Sequence, residues 1–233
     1  MLKKILIVMA VLILLLLLTS RTGAAEQETY SFGNYWQTYE LDGEKSPVEW
    51  IILDETDNAY LLITKYSVDA NIFNYNDAYT TWSNSNMRQF LNSYFYNECF
   101  SEEEKERILL TTVEPDINAE YKTVEQGRAT KDYVFLLSVR EAEQYFISDS
   151  ARIAYATPFA TIGHARIIGD KWAGAYTSPV TGATCWRLRT MGIDNYHVCA
   201  VCENGSIHIG GDILFAPHYA VRPCIWIRKG ELQ

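Results

Sequence analysis

Cys199-Ala-Val-Cys202 has the spacing of a redox or metal-binding cysteine pair. Two thiolates three residues apart can share a metal only where the backbone turns both to one side. The segment around them alternates like a strand, and a strand sends residues three apart to opposite faces. This pair is therefore expected to be structural. A second grouping follows from the same segment. Asn204-Gly205 is a strong two-residue turn signal, requiring φ > 0 at both positions. The register it implies pairs Glu203 with Ser206, Val201 with His208 and Cys199 with Gly210. One face then carries Tyr196, Val198, Ala200, Cys202, Ile207 and Ile209 and is expected to be core. The other gathers His197, Cys199 and His208, whose imidazole and thiolate groups suit zinc or copper. These three are the candidate metal residues.

The segment 172–196 is the candidate binding region, taking Trp172, Tyr176, Trp186, Arg187, Arg189, Asp194 and Asn195 as ligand contacts. Flat rings beside bidentate donors are what a sugar or peptide surface requires. On a strand, Arg187 and Arg189 share a face and Trp186 takes the other. Trp186→Ala is then expected to cost stability, whereas Arg187→Ala is expected to weaken ligand capture and leave melting nearly unchanged. The spelling Glu114-Pro115-Asp116 is similar to the Glu-Pro-Asn or Gln-Pro-Asp ligand motif of calcium-dependent lectins, but no Trp-Asn-Asp follows it, and a solvated turn is expected. Arg88 and Asn92, four apart beside Trp82 and Ser85, read as a network fixing a helix to a sheet. Arg222 reads as an anchor for loop carbonyls or for a carboxylate such as Asp170 or Asp194. The chain has no Gly-x-Ser-x-Gly, phosphate loop or His-Glu-x-x-His. No catalytic residue is assigned and no cofactor is expected; copper, zinc or calcium are the alternatives.

Positioning these residues requires strands, then helices, then strands. Residues 32–40, 48–54 and 59–65 read as strands, the last two joined by a polar turn over 55–58. A helix fits 85–97, with Met87, Phe90, Leu91, Tyr94 and Phe95 on one face. Ser101 with Glu104, and Ser138 with Glu141, are capping boxes that open helices running to about 110 and 146. Residues 133–137 read as a buried strand, and beyond 150 the chain reads as irregular and β-rich. No linker or repeat divides 30–228, so one domain over 26–233 is expected. The class is α+β, with mixed or antiparallel sheets and two to three helices.

Lys3 and Lys4 precede an apolar run over 5–18, and small residues follow at Gly23, Ala24 and Ala25. That is the anatomy of a secretory signal peptide over 1–25, with an uncleaved amino-terminal anchor as the alternative. Lys and Arg number 20 against 29 Asp and Glu, a net charge of −9. Removing the first 25 residues leaves 17 basic residues against 29 acidic, a balance of −12. So acidic a chain is a poor partner for nucleic acid or other anionic polymers. Five cysteines leave at least one thiol unpaired, with connectivity open.

Phe32-Gly33-Asn34-Tyr35 and Pro47-Val48-Glu49-Trp50-Ile51-Ile52-Leu53 resemble the opening of a bacterial family labelled domain of unknown function 6273. Trp82-x-x-Ser85-x-x-Arg88-x-x-Leu91-Asn92 resembles that family's central signature. Phe100-Ser101-x-x-Glu104-Lys105, Val134-Phe135-Leu136-Leu137-Ser138 and the closing Val221-Arg222-Pro223 continue it. The ending is similar to that of C-type-lectin-like folds, a group that includes formylglycine-generating enzymes and hypervariable bacterial binding proteins. The resemblance implies an exported domain with a C-type-lectin-like carboxy-terminal half. The expected function is a non-catalytic extracellular module that binds a neutral glycan or a protein or peptide. The alternatives are a metal-dependent or oxidase-like enzyme built on His197, Cys199 and His208, and a structural cell-surface domain. Membrane contact is expected only through the amino-terminal segment.

Overall fold

The computed structural model describes residues 29–39, 43–75, 78–162 and 174–230. The expected signal segment, with Trp172 and Asp170, lies outside them. No helix among the described residues is long and apolar enough to cross a membrane.

Four antiparallel strands form the first sheet, in the order β1-β2-β3-β13. They are β1 (Thr29–Tyr35), β2 (Ser46–Glu55), β3 (Ala59–Thr64) and β13 (Cys224–Arg228). Inside the predicted turn, the Thr56 N–H donates to the Ala59 carbonyl at 2.8 Å, closing the hairpin between β2 and β3. β3 lies between β2 and β13, and its Leu61, Leu62 and Ile63 are all buried, so both of its faces are covered. In β1, Gly33 adopts φ +72°, where a Cβ would meet Cys99 Sγ and the Phe100 ring at 2.8 Å. Only glycine fits that approach.

Ser85 caps the first helix by accepting from the Arg88 N–H. The helix runs as α1 (Asn86–Phe90), a π-helical turn (Leu91–Phe95) and α2 (Tyr96–Cys99). Met87, Leu91 and Phe95 form its buried stripe. Both capping boxes close as the spacing predicts, at α3 (Glu102–Arg107) and α4 (Val139–Tyr145). Two shorter helices follow, α5 (Asp149–Arg152) and α6 (Pro158–Ile162). Residues 134–137 are buried and Tyr133 is partly so, but the run makes no strand. Phe135 exchanges both backbone hydrogen bonds with Cys224, and Leu137 accepts from the Arg189 N–H. The apolar run fills the gap between the sheets, so its backbone bonds are divided between them.

The second sheet has five strands, in the order β11-β10-β9-β12-β4. They are β4 (Asp69–Ala70), β9 (Trp186–Met191), β10 (His197–Val201), β11 (Ile207–Ile213) and β12 (Ala220–Val221). Short pairs complete the set: β5 (Thr111–Val113) with β6 (Thr130–Asp132), and β7 (Ala154–Tyr155) with β8 (Ala183–Thr184). The chain crosses between the sheets after β3 and again after β12. The crossings are tied together where the Thr64 N–H donates to the Pro223 carbonyl and Arg222 Nε donates to the Thr64 carbonyl at 2.7 Å. Among the described residues, Arg222 thus anchors the carbonyls of Thr64 and Lys65 and pairs with no carboxylate. One apolar cluster unites Trp50, Leu62, Leu91, Trp186 and Val198 from both sheets and the helix between them. The architecture is a single α+β domain.

The hairpin at Asn204-Gly205 forms, with a register that differs from expectation. Gly205 takes φ +83°, while no described non-glycine residue has positive φ, so the turn is not one that needs both positions left-handed. The loop instead spans Glu203, Asn204 and Gly205. The Cys202 N–H donates to the Ser206 carbonyl, and the Gly205 N–H to the Cys202 carbonyl. Val201 therefore pairs with Ile207 and Ala200 with His208. A one-residue slip moves every side chain to the opposite face. The register shifts again between Val198 and Ala200, so His197 pairs with Ile213. Gly211, at φ +74°, supplies the backbone freedom for that bulge.

Candidate functional site

β9 lies inside the sheet, between β10 and β12, and all six of its residues are buried. Both faces are covered, so the alternation that would send Arg187 to solvent does not operate. The Arg187 guanidinium is fully buried. It donates to the carbonyls of Val198, Asp212, Ile213 and Ala216 and lies 3.7 Å from the Tyr219 ring centroid. It holds the segment after β11 against the sheet. Burial draws its pKa down to about 10, so it stays charged at neutral pH. The expectation that Arg187→Ala leaves melting unchanged is thereby corrected.

Trp186 is buried, and its indole N–H donates to the Arg152 carbonyl at 3.1 Å. Arg189 ion-pairs with Glu141 and donates to the carbonyls of Leu136 and Glu114. Burial raises the Glu141 pKa, but the Arg189 hydrogen bond and charge hold it below the usual carboxylate range. Asn195 is buried and donates to the Glu125 carbonyl at 2.6 Å. Asp194 accepts from the Tyr196 N–H and contacts His197 Nδ1 at 2.6 Å, so His197 belongs to this turn.

The expected metal cluster does not assemble. His197 and His208 occupy separate rungs, opposite Ile213 and Ala200. Cys199 is buried between them and donates to the Ile209 carbonyl at 3.1 Å. Burial pushes its thiol pKa up to about 12. Asp116 is also buried rather than solvated, accepting from the Arg140 N–H and the Thr190 hydroxyl. The central motif is the network its spacing predicts. Arg88 Nε and Trp82 Nε1 donate to the two oxygens of Asp132, at 2.6 and 2.9 Å. Asn92 donates to the Val134 carbonyl and accepts from the N–H groups of Tyr133 and Val134.

The surface residues of the expected binding region fall at opposite ends of β9. Tyr176 is exposed beside β8, where its carbonyl accepts from the Thr184 hydroxyl. Asp194 follows the far end of β9, roughly 20 Å away at about 3.3 Å per residue. At that far end three loops meet. The Thr80 N–H donates to the Asn195 carbonyl, the Leu214 N–H to Tyr196, and the Phe73 N–H to Leu214. These loops expose Tyr75, Tyr79, Ile193, Tyr196 and Phe215, each between 41 and 54% accessible. Tyr75, Tyr79 and Phe215 escaped the sequence reading, because only the tertiary fold brings their segments to Asn195.

A third grouping lies at the opposite end of β9. Cys185, Cys202 and Glu203 bring one ligand atom each to within 4.8 Å of one another. The Cys185 thiol donates to Glu203 Oε2 at 3.1 Å. The hydrogen bond to Cys202 raises the Cys185 pKa, while the same bond draws that of Cys202 down to about 7. The expected register had put Cys202 in the core and Glu203 on the opposite face.

Two sheets sharing one core, with a hairpin and loop cluster at the margin of the second, define an α+β domain of mixed topology. The chain belongs to the family described as Domain of unknown function (DUF6273), whose model matches residues 57–229. Neither the curated proteins nor the solved structures contain a match to it.

Proposed function

We propose that this chain is an exported, non-catalytic module that binds a neutral glycan or an extracellular protein through the loops around Asn195. The observation that carries this reading is the group of exposed apolar side chains, Tyr75, Tyr79, Ile193, Tyr196 and Phe215, on three loops joined by backbone hydrogen bonds. Large rings held at the surface by a rigid scaffold offer binding area at little entropic cost. Asp194 and Tyr79 supply polar edges to the same surface, and the net charge of −9 disfavours anionic partners. Export rests on Lys3, Lys4 and the apolar run over 5–18. The C-type-lectin-like character of the carboxy-terminal half belongs to the same proposal.

The test is a glycan and peptide array probed with the wild-type chain, Tyr196→Ala and Phe215→Ala. Both positions are exposed, so each variant is expected to melt within a few degrees of wild type. Each is expected to weaken capture at least tenfold. If wild type captures nothing, or both variants bind as it does, the reading fails and a structural surface domain takes its place.

A further inference from the structure

We propose that Cys185, Cys202 and Glu203 form a binding site for a thiophilic divalent cation of the zinc class, with the fourth coordination position open to solvent. The placement follows from the sheet. β9 and β10 are antiparallel with Trp186 opposite Val201, and one further rung sets Cys185 opposite Cys202. Glu203 opens the turn that follows. Facing residues on neighbouring antiparallel strands share a side of the sheet, so the two sulfurs meet.

All three donor atoms lie within 4.8 Å of one another, and Cys185 Sγ is 3.1 Å from Glu203 Oε2. Tetrahedral zinc has metal–sulfur bonds of about 2.3 Å and metal–oxygen bonds of about 2.1 Å, which place neighbouring ligand atoms about 3.5–3.8 Å apart. Closing the group around a cation therefore needs only small side-chain rotations. Two thiolates and a carboxylate suit zinc or cobalt better than calcium or magnesium, which prefer oxygen.

The turn that carries Glu203 is held in place. Arg152 Nε donates to the Gly205 carbonyl at 2.9 Å, and Gly205 packs so closely that a Cβ there would lie 1.7 Å from the Asp149 carbonyl oxygen. The Cys202 N–H donates to the Ser206 carbonyl and the Gly205 N–H to the Cys202 carbonyl, which closes the turn. All three donor residues are partly exposed, so a cation can enter from solvent. Binding replaces the Cys185 S–H···Glu203 contact. The two thiols give up two protons, and the cation with two thiolates and one carboxylate has a net charge of −1. Cys99, Cys199 and Cys224 are each buried and take no part.

The test uses the full chain, isolated without reductant for a thiol count, then reduced, freed of metal with a chelator, and titrated with Co²⁺ alone. One equivalent is expected to bind, with visible bands of tetrahedral cobalt and near-ultraviolet charge-transfer bands from two thiolates. Zn²⁺ is expected to displace it stoichiometrically. Cys185→Ser and Cys202→Ser are each expected to lower affinity at least a hundredfold. Glu203 is partly exposed, and Glu203→Ala is expected to lower affinity about tenfold while the metal-free protein melts within a few degrees of wild type. A Cys185–Cys202 disulfide in the isolated protein would overturn the proposal. So would absence of a tetrahedral spectrum, or cobalt affinity unchanged in Glu203→Ala.

Discussion

Arg187 is a buried cation with carbonyl partners, and its removal costs packing as well as hydrogen bonds. Alanine there leaves four carbonyls short of a donor and opens a cavity beneath Tyr219. Each buried group left unsatisfied costs about 1–3 kcal/mol, although these four differ in geometry. Arg187→Ala is expected to lower unfolding free energy by about 3–5 kcal/mol in urea titrations. Arg187→Lys should recover only part of the loss, because an ammonium cannot spread its donors over a planar fork. Tyr176→Ala, on the exposed side of β8, should stay within about 0.5 kcal/mol of wild type. Equal effects at the two positions would show that Arg187 does not hold the segment after β11.

At the scale of the element, the β10–β11 hairpin turns on which residue is left-handed. Within the turn only Gly205 carries positive φ, and its missing Cβ makes room for the Asp149 carbonyl. Asn204 contributes a side-chain oxygen that accepts from the Ser206 N–H and hydroxyl. Gly205→Ala is therefore expected to cost more than about 2 kcal/mol, combining backbone strain with a clash. Asn204→Ala should cost under about 1 kcal/mol. In a two-residue turn both substitutions would be severe, so the pair of melting curves tests the loop type directly. The pairing of β9 with β10, which sets Trp186 opposite Val201, brings the cysteines to face each other, and the turn of this hairpin supplies Glu203 to the proposed cation site.

Across the whole molecule, the two sheets are joined by a buried carboxylate as well as by apolar contacts. The Tyr35 hydroxyl, on β1 of the first sheet, donates to Asp69 Oδ2 at 2.6 Å, on β4 of the second. Burial raises the Asp69 pKa to about 6, against the lowering effect of the Tyr35 hydrogen bond. A carboxyl raised on folding binds more protons in the native state than in the unfolded one between about pH 4 and 6. Its contribution therefore becomes less favourable as pH rises through that window and stays constant above it. A shift of about two units corresponds to about 2–3 kcal/mol. In Asp69→Asn, stability relative to wild type is expected to improve by about that amount between pH 4 and pH 6.5, whatever the absolute cost of the substitution. Paired urea titrations at the two pH values read it. A constant difference between the proteins would mean that Asp69 keeps its ordinary pKa.

The legible parts of this protein were those whose cause is local. Ser101 with Glu104 and Ser138 with Glu141 cap their helices because each box satisfies its own backbone donors within three residues. The β2–β3 hairpin and the helical stripe of Met87, Leu91 and Phe95 were legible for the same reason: periodicity and turn chemistry act over short spans. The family signature from Trp82 to Asn92 was recognisable, although its partner Asp132 was not identified. Tertiary structure decided the rest. Alternation misplaced Arg187 because β9 is covered on both faces. The apolar run 133–137 became a strap with a single bridge because two sheets compete for its backbone. At the hairpin turn, Gly205 packs against Asp149, a residue 56 positions away, which no local turn rule anticipates. The β10–β11 register places His197 and His208 on separate rungs, and the β9–β10 pairing brings Cys202 to face Cys185. Residue spacing fixes which side chains are near neighbours along the chain, but only packing between distant segments selects the face on which each one stands.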